Sequence, residues 1–353
     1  MILLVTGCAG FIGSNFVHFY LRSKSECKII GLDKLTYAGN LENLAPVQQK
    51  EKERFIFVRG DIANTELVEH LFSLYDIDVV VNFAAESHVD RSIDNPQVFL
   101  QTNVMGTQNL LEVARKNWLQ KDKSTQNKKF IQISTDEVYG TLGPEGRFTE
   151  ESPLCPRSPY AASKAAADLL ARSYWVTYGL PVVITRCCNN YGPYQFPEKL
   201  IPFMIWNALK HQELPIYGDG RQIRDWLYVL DHCRALALVI EKGKPGEVYN
   251  IGAQEERENL EVVHKILAIL QKKTGDPLIN EKLIRHVKDR PGHDRRYALE
   301  VSKIEKELGW KKEISFEEGL EKTVEWYLNH HQWLERVISG EYLDFYQKWY
   351  RKR

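Results

Sequence analysis

Six short apolar runs, ILLVTG, KIIGLD, FIFVRGD, VVVNFAA, KFIQIST and PVVITR, are spaced through the first half of the chain, each ending in a small or polar residue. Most are followed by an amphipathic stretch of helical period, and strand and helix taking turns in this way calls for a parallel sheet with crossover helices. Phe11, Ile12, Phe16 and Phe19 stand at helical spacing, and 96–117 reads as one long helix carrying Val98, Val104, Leu110, Leu111 and Val113. Ser158 and Pro159 form an N-cap and N1 pair that opens a helix running to about Tyr178. From Asn189 onward the alternation decays among Pro193, Pro197, Pro202 and Pro215, and two further helix patterns follow at 230–241 and 260–273. The expected fold is α/β: a Rossmann-type doubly wound parallel sheet with a smaller interleaved substrate-binding domain. The sheet domain takes 1–189 with a returning segment at about 227–252, and the second domain takes 190–226 and 253–353. Between 116 and 129 the polar string KNWLQKDKSTQNKK reads as a solvated loop.

With 353 residues and 47 Lys plus Arg balanced by 47 Asp plus Glu, no global field draws the chain to nucleic acid or an anionic membrane. Any bound anion must be held by a local cluster. Six cysteines at 8, 27, 155, 187, 188 and 233 include no CxxC pair and no histidine at metal-ligand spacing. That pattern fits a reducing, cytoplasmic setting and predicts no metal site. No run of 18 uncharged apolar residues is present, so no membrane span is expected.

TGCAGFIG puts Gly7, Gly10 and Gly13 between the first strand and the first helix, where missing side chains let the backbone approach a pyrophosphate. The spacing is GxxGxxG, and three glycines alone would serve any tight turn. Asp33 ends the second strand 20 positions after Gly13, where a carboxylate can receive the hydroxyls of an adenine ribose and repel a 2'-phosphate. The order strand, glycine turn, helix, strand, acid therefore favours NAD over NADP.

Tyr160 and Lys164 form YxxxK one helical turn apart, and an ammonium beside a phenol should bring the phenol nearer to neutrality as a base. The pattern occurs again at Tyr20 and Lys24, where ordinary packing roles are expected. What separates the copies is STDEVYG, which sets Ser134, Thr135, Asp136 and Glu137 just past a strand end. Alcohol oxidation needs only the hydroxyl and the Tyr/Lys pair, so the two carboxylates offer an acid and a base for a second proton transfer. Further on, Lys199, Arg224 and the run DRPGHDRRYA supply a cationic cluster suited to a diphosphate.

TGCAGFIG, LDKLTYAGN, GDI, AAESHVDRSI, STDEVYG, YAASKAAAD, NNYGPYQFPEKLIP, LPIYGDGRQIRDWLYV, DRPGHDRRYA and LGW occur in this order from residue 3 to about 310. In them the chain resembles the dTDP-glucose 4,6-dehydratase family, an extended branch of the short-chain dehydrogenase/reductase superfamily. The resemblance implies that Phe11 and Ile12 lie on the pyrophosphate, that Asp33, Lys34, Leu35 and Thr36 hold the adenosine ribose, and that Asp61 and Ile62 meet the adenine. Phe83, Ala84, Ala85 and Thr102 would line the rest of the NAD groove, with Asn190 on the nicotinamide side. Ser87, Thr135 and Asn189 would contact the sugar. Lys199, Leu200, Pro215, Ile216, Tyr217, Arg224 and Asn259, with Asp289, Arg290, Pro291, Gly292 and His293, would hold the nucleotide diphosphate. Two departures are Cys8, where glycine is frequent, and Leu230, where an acid is usual.

The activity so implied is that of a lyase with tightly bound NAD, acting on dTDP-glucose. Tyr160, helped by Lys164 and Thr135, would remove the 4-hydroxyl proton while C4 gives hydride to NAD, Glu137 would take the C5 proton, Asp136 would protonate the departing 6-hydroxyl, and hydride would return to C6. A homodimer packed through the helices at 96–117 and 158–178 is also implied. The alternatives are a UDP-glucose 4,6-dehydratase, a nucleotide-sugar 4-epimerase, or a catalytically silent NAD-binding protein.

Overall fold

A computed structural model of the protein describes residues 1–119, 125–289 and 292–338. Its strands in the first half are β1 (Ile2–Thr6), β2 (Lys28–Asp33), β3 (Phe55–Arg59), β4 (Val79–Asn82), β5 (Lys129–Thr135) and β6 (Val182–Cys187). The second half adds β7 (Asn189–Tyr191), β8 (Leu214–Tyr217), β9 (Ile223–Tyr228), β10 (Val248–Ile251), β11 (Glu256–Glu258) and β12 (Ile284–Val287).

Seven strands pair in parallel in the order β10-β6-β5-β4-β1-β2-β3. Every residue of β4 and β6 is buried, which is why these strands read as unbroken apolar runs instead of alternating ones. The chain runs outward from β1 to β2 and β3, then returns to the other side of β1 for β4. That reversal opens a crevice at the carboxyl ends of β1 and β4, the place where doubly wound sheets receive ligands. β7, β9 and β11 form a small second sheet, and β8 pairs with β12.

Helices cover both faces. The helix Phe11–Ser23 starts directly from the glycine turn, with Gly10 as N-cap and no side chain capping it. Ser158 accepts a hydrogen bond from the Ala161 N–H at 3.1 Å and opens the helix Pro159–Tyr178, as its sequence predicts. The helix expected at 96–117 differs in detail. It runs as Pro96–Phe99, a π-helical segment Leu100–Gly106, and Thr107–Trp118. The wider π turn lets Asn103 face inward, where it donates to Ser163 Oγ at 2.8 Å and exchanges hydrogen bonds with the Glu86 backbone. The polar loop also begins later than residue 116, because Trp118 is buried and donates its indole N–H to the Ile77 carbonyl at 2.9 Å. Residues 120–124 of that loop lie outside the described residues.

Two cores flank the sheet, one including Phe16, Tyr20 and Val183 and the other including Leu4, Ile30 and Phe130. Away from the sheet, the core of the second half of the chain, the second core, gathers Tyr191, Ile205, Trp226, Ile266, Phe316 and Trp333. Within 297–310, which the sequence division gives to the second domain, Leu299, Ile304 and Trp310 pack into the first core. Tyr20 is buried there and Lys24 pairs with Glu241, the packing roles expected of that second YxxxK. No described helix is long and apolar enough to cross a membrane.

Candidate active site

The crevice between β1 and β4 continues past β5 and β6 as one long cleft. At its floor Gly7 takes φ +65°, and a β-carbon there would sit 2.7 Å from the Ala84 nitrogen, so only glycine lets the turn lie against the end of β4. Gly10, Phe11, Ile12 and Gly13 line the cleft with the uncapped first turn of a helix, whose free N–H groups suit a pyrophosphate. Asp33 is buried and accepts from the Ala9 N–H at 2.9 Å and the Leu35 N–H at 2.8 Å. Burial raises its carboxyl above the ordinary range, against the pull of those two donors. Its carboxylate thus braces the glycine turn while still facing the cleft. Lys34, Thr36, Asp61, Ile62, Phe83, Ala84, Ala85 and Thr102 also line it, and Lys34 pairs with Asp61 at 2.6 Å. Leu35 does not. It takes a left-handed φ of +58° and shapes the turn through its bond to Asp33.

Farther along, the end of β5 brings Thr135, Asp136 and Glu137 opposite Tyr160 and Lys164 on the helix Pro159–Tyr178, and all five line the cleft. Thr135 Oγ1 donates to Asp136 Oδ1 at 3.2 Å and accepts from the Glu137 N–H at 3.3 Å, and its hydroxyl exerts a lowering pull on the Tyr160 phenol. Burial first, then the charge of Glu137, holds the Asp136 carboxyl well above its usual range, with Arg224 pulling the other way. Burial and Glu137 both favour the protonated acid, the form able to donate a proton. Sequence reasoning expects Lys164 to bring the phenol of Tyr160 toward neutrality, and the structure shows the reverse. Burial and Glu137 push Tyr160 up, while Lys164, itself lowered by burial, donates its ammonium to the Ile133 carbonyl at 2.6 Å. Protein groups alone leave the phenol protonated.

Asn190, on β7, lines the same end of the cleft. Its Nδ2 donates to the Cys188 carbonyl at 2.9 Å, so its Oδ1 accepts, and His232 Nδ1 at 3.0 Å is the donor. His232 is fully buried, and desolvation lowers its imidazole to about 3. It is a neutral group with its tautomer fixed by Asn190.

Ser87, Asn189 and Lys199 line the cleft as well, and Lys199 Nζ donates to the Ser87 carbonyl at 2.8 Å. Next to them Glu198 accepts from the Tyr37 hydroxyl at 3.0 Å and Arg91 Nε at 3.3 Å. Leu200, Pro215, Ile216, Tyr217, Arg224, Asn259, Asp289, Gly292 and His293, expected to touch substrate, do not line this cleft. Leu200 and Ile216 pack in the second core. Arg224 is buried, donates to the Ile223 and Asp294 carbonyls and lies 4.3 Å from the Tyr297 ring centroid. Tyr217, Asp289 and His293 cluster beside β8: His293 Nδ1 is 2.6 Å from Asp289 Oδ1, and its ring meets Tyr217 edge-on at 6.0 Å. Asn259 starts the helix Asn259–Thr274, and its N–H donates to Gln222. Arg290 and Pro291 lie outside the described residues.

Sequence reasoning missed Glu86, Cys187, Cys188, Gln195, Phe196 and Glu198, all of which line the cleft. Glu86 carried a usable signal, a charge inside an otherwise recognisable motif. The cysteines carried none, since burial of the β6 end is set by the sheet around it.

A family model described as GDP-mannose 4,6 dehydratase matches residues 4–323. A dTDP-glucose 4,6-dehydratase of Xanthomonas campestris is 52% identical over 345 residues, covering 96% of each chain. A dTDP-glucose 4,6-dehydratase of Streptomyces venezuelae, solved with NAD bound, superposes with TM-score 0.87 at 49% identity over 96% of this chain and 100% of its own. A Thermotoga maritima UDP-glucose 4-epimerase, solved with UDP-glucose, has TM-score 0.81 at 32% identity over 93% of this chain and 99% of its own.

The state of His232 has a measurable consequence. Its folded value of about 3 lies below that of a solvated imidazole, so the unfolded chain binds a proton that the native protein refuses. Stability from this group is present above the unfolded value and is lost as pH falls toward the folded one. In urea titrations the advantage of the native protein over His232→Asn, whose amide can still donate to Asn190, should shrink between about pH 7 and about pH 4. A gap independent of pH would show that burial leaves the His232 imidazole titrating as in the unfolded chain, and a gap that widens toward acid would show that it is held protonated.

Proposed function

The chain belongs to the dTDP-glucose 4,6-dehydratase family, and from that premise we propose that its cleft converts dTDP-glucose to dTDP-4-keto-6-deoxyglucose. It is a hydro-lyase that uses NAD and regenerates it in each turnover. The observation that carries this reading is the pairing of a buried Asp136, whose carboxyl burial and Glu137 push upward, with Glu137 itself beside Tyr160. An epimerase has no task for two carboxylates at this point.

The cofactor groove runs from the glycine turn and Asp33 to Asn190, supported by the uncapped helix turn and by the β-carbons that Gly7 and Gly13 cannot carry. Bound NAD supplies the hydride acceptor at C4, the hydride donor at C6 and a positive charge near the phenol. Tyr160 takes the proton of the 4-hydroxyl, with Thr135 orienting its oxygen and Lys164 holding the β5 end through Ile133. The 4-ketone so formed acidifies C5–H, and Glu137 removes that proton. Asp136 donates its proton to the departing 6-hydroxyl, and water leaves. Glu137 then returns a proton to C5 as C6 is reduced. Ser87 and Asn189 contact the sugar, and Lys199 meets the diphosphate. Tyr217, Asn259, Asp289 and His293 enclose the nucleotide, and Arg224 acts from behind Asp136, which its charge pulls toward ionisation.

We also propose a homodimer. Val98, Leu100, Met105, Leu169 and Val176 are large apolar side chains exposed on the two adjacent helices at 96–118 and 159–178, and Val176 is 72% exposed. Burying these in a four-helix seam against a second copy would remove them from water. The six cysteines are unpaired, which suits a cytoplasmic enzyme.

Incubation with dTDP-glucose should give a product lighter by one water, and UDP-glucose run separately tests the choice of base. Glu137→Gln should still form reduced cofactor, yet turnover should fall by roughly 10² to 10⁴, the range for losing a general base. A Glu137→Gln protein that dehydrates at the native rate contradicts the assignment. Light scattering should give a dimer at micromolar concentration and a shift toward monomer in Val176→Arg. A native monomer would remove the interface.

A further inference from the structure

The helix His331–Val337 lies at the far end of the described chain from the dinucleotide turn, yet one of its side chains reaches that turn through a single intermediary. Trp333, buried in the second core, donates its indole N–H to Asn43 Oδ1 at 2.9 Å. Asn43 Nδ2 donates to the Ala9 carbonyl at 2.9 Å, which also accepts from the Asn40 N–H at 3.1 Å. Ala9 stands between Gly7 and Gly10, and its own N–H goes to Asp33. Asn43 is 1% exposed and has both ends of its amide engaged, so its orientation is fixed by what Trp333 and Ala9 offer. The indole is wedged against Trp326, Tyr194 and Tyr327, with centroids at 5.1, 6.0 and 6.3 Å. Tyr327 donates to the Gln195 carbonyl at 2.7 Å, and Gln195 donates to the carbonyl of Asn190 at the other end of the cleft.

We infer that Trp333 is a positioning residue for cofactor retention: acting through Asn43, its indole N–H holds the Ala9 carbonyl and with it the glycine turn, so that the C-terminal helix sets how firmly the dinucleotide is kept. The inference rests on reading that turn as the NAD site. An enzyme that oxidises and reduces the same substrate molecule gains nothing from exchanging its cofactor in mid-cycle. A link from the second core to the turn would slow that exchange.

The test compares full-length native protein with Trp333→Phe, Asn43→Ala, Asn43→Asp, the Asn43→Ala/Trp333→Phe pair and Arg336→Ala, following release of bound NAD(H) after dilution into a coupled enzyme that consumes it. Trp333→Phe keeps the ring and removes the donor. Release should quicken about fivefold, the scale of one buried hydrogen bond, while kcat with NAD in excess stays within about twofold. The double variant should release no faster than Asn43→Ala alone, because the two residues act in series. Asn43→Asp keeps the acceptor for Trp333 and loses the donor to Ala9, so it should also release faster even where Trp333→Phe folds poorly. Arg336→Ala, on the same helix as Trp333, breaks the surface pair with Glu42 and should leave release unchanged. Native retention in Trp333→Phe or Asn43→Asp, additive loss in the double variant, or equal loss in Arg336→Ala would each overturn the inference. Native protein that purifies without NAD(H) would sink the cofactor assignment instead.

Discussion

Sealing a carboxylic acid from water beside a second carboxylate favours its protonated form, and the site is arranged around that pressure at Asp136. The seal is supplied by the sheet. β5 lies between β4 and β6, all of β6 is buried, and helices cover both faces, so a strand end at this position meets protein on most sides. Arg224, held by two backbone carbonyls and the Tyr297 ring, stands near enough to temper the effect on Asp136 without reaching the cleft. Two carboxyl groups adjacent in sequence can then play opposite parts, one giving a proton and one taking it.

The same burial explains why the Tyr160 phenol is not activated by the protein alone. Lys164 spends its ammonium on the Ile133 carbonyl, which fixes the end of β5 and leaves the phenol raised by desolvation and by Glu137. The motif YxxxK locates the base, but its ionisation depends on charges that sequence spacing does not express.

The fold was legible because parallel strands buried on both faces must be short apolar runs and because Ser158 and Pro159 mark a helix start that the structure keeps. The glycine turn and Asp33 were legible for the same reason: each answers a local requirement of the backbone. What escaped was set by tertiary contact. Seven residues of π helix at Leu100–Gly106 shift the period too briefly to register in a hydrophobic pattern, though they turn Asn103 inward. Glu198 looks like a surface charge between Pro197 and Lys199, and only Tyr37 and Arg91, far away in the chain, make it a buried acceptor. The residues at 297–310 look like a continuation of the second domain, and Leu299, Ile304 and Trp310 nevertheless belong to the first core.

The central claim is that oxidation, elimination and reduction occur on one substrate molecule inside one closed cleft. Isotope tracing tests it most directly. With dTDP-glucose carrying deuterium at C4 and ordinary water as solvent, the account predicts product that holds the label at C6 undiluted, and with unlabelled substrate in deuterated water it predicts deuterium at C5 and none at C6. Label lost to solvent, label scrambled between two substrate molecules mixed in one reaction, or label kept at C4 in a product of unchanged mass would contradict it.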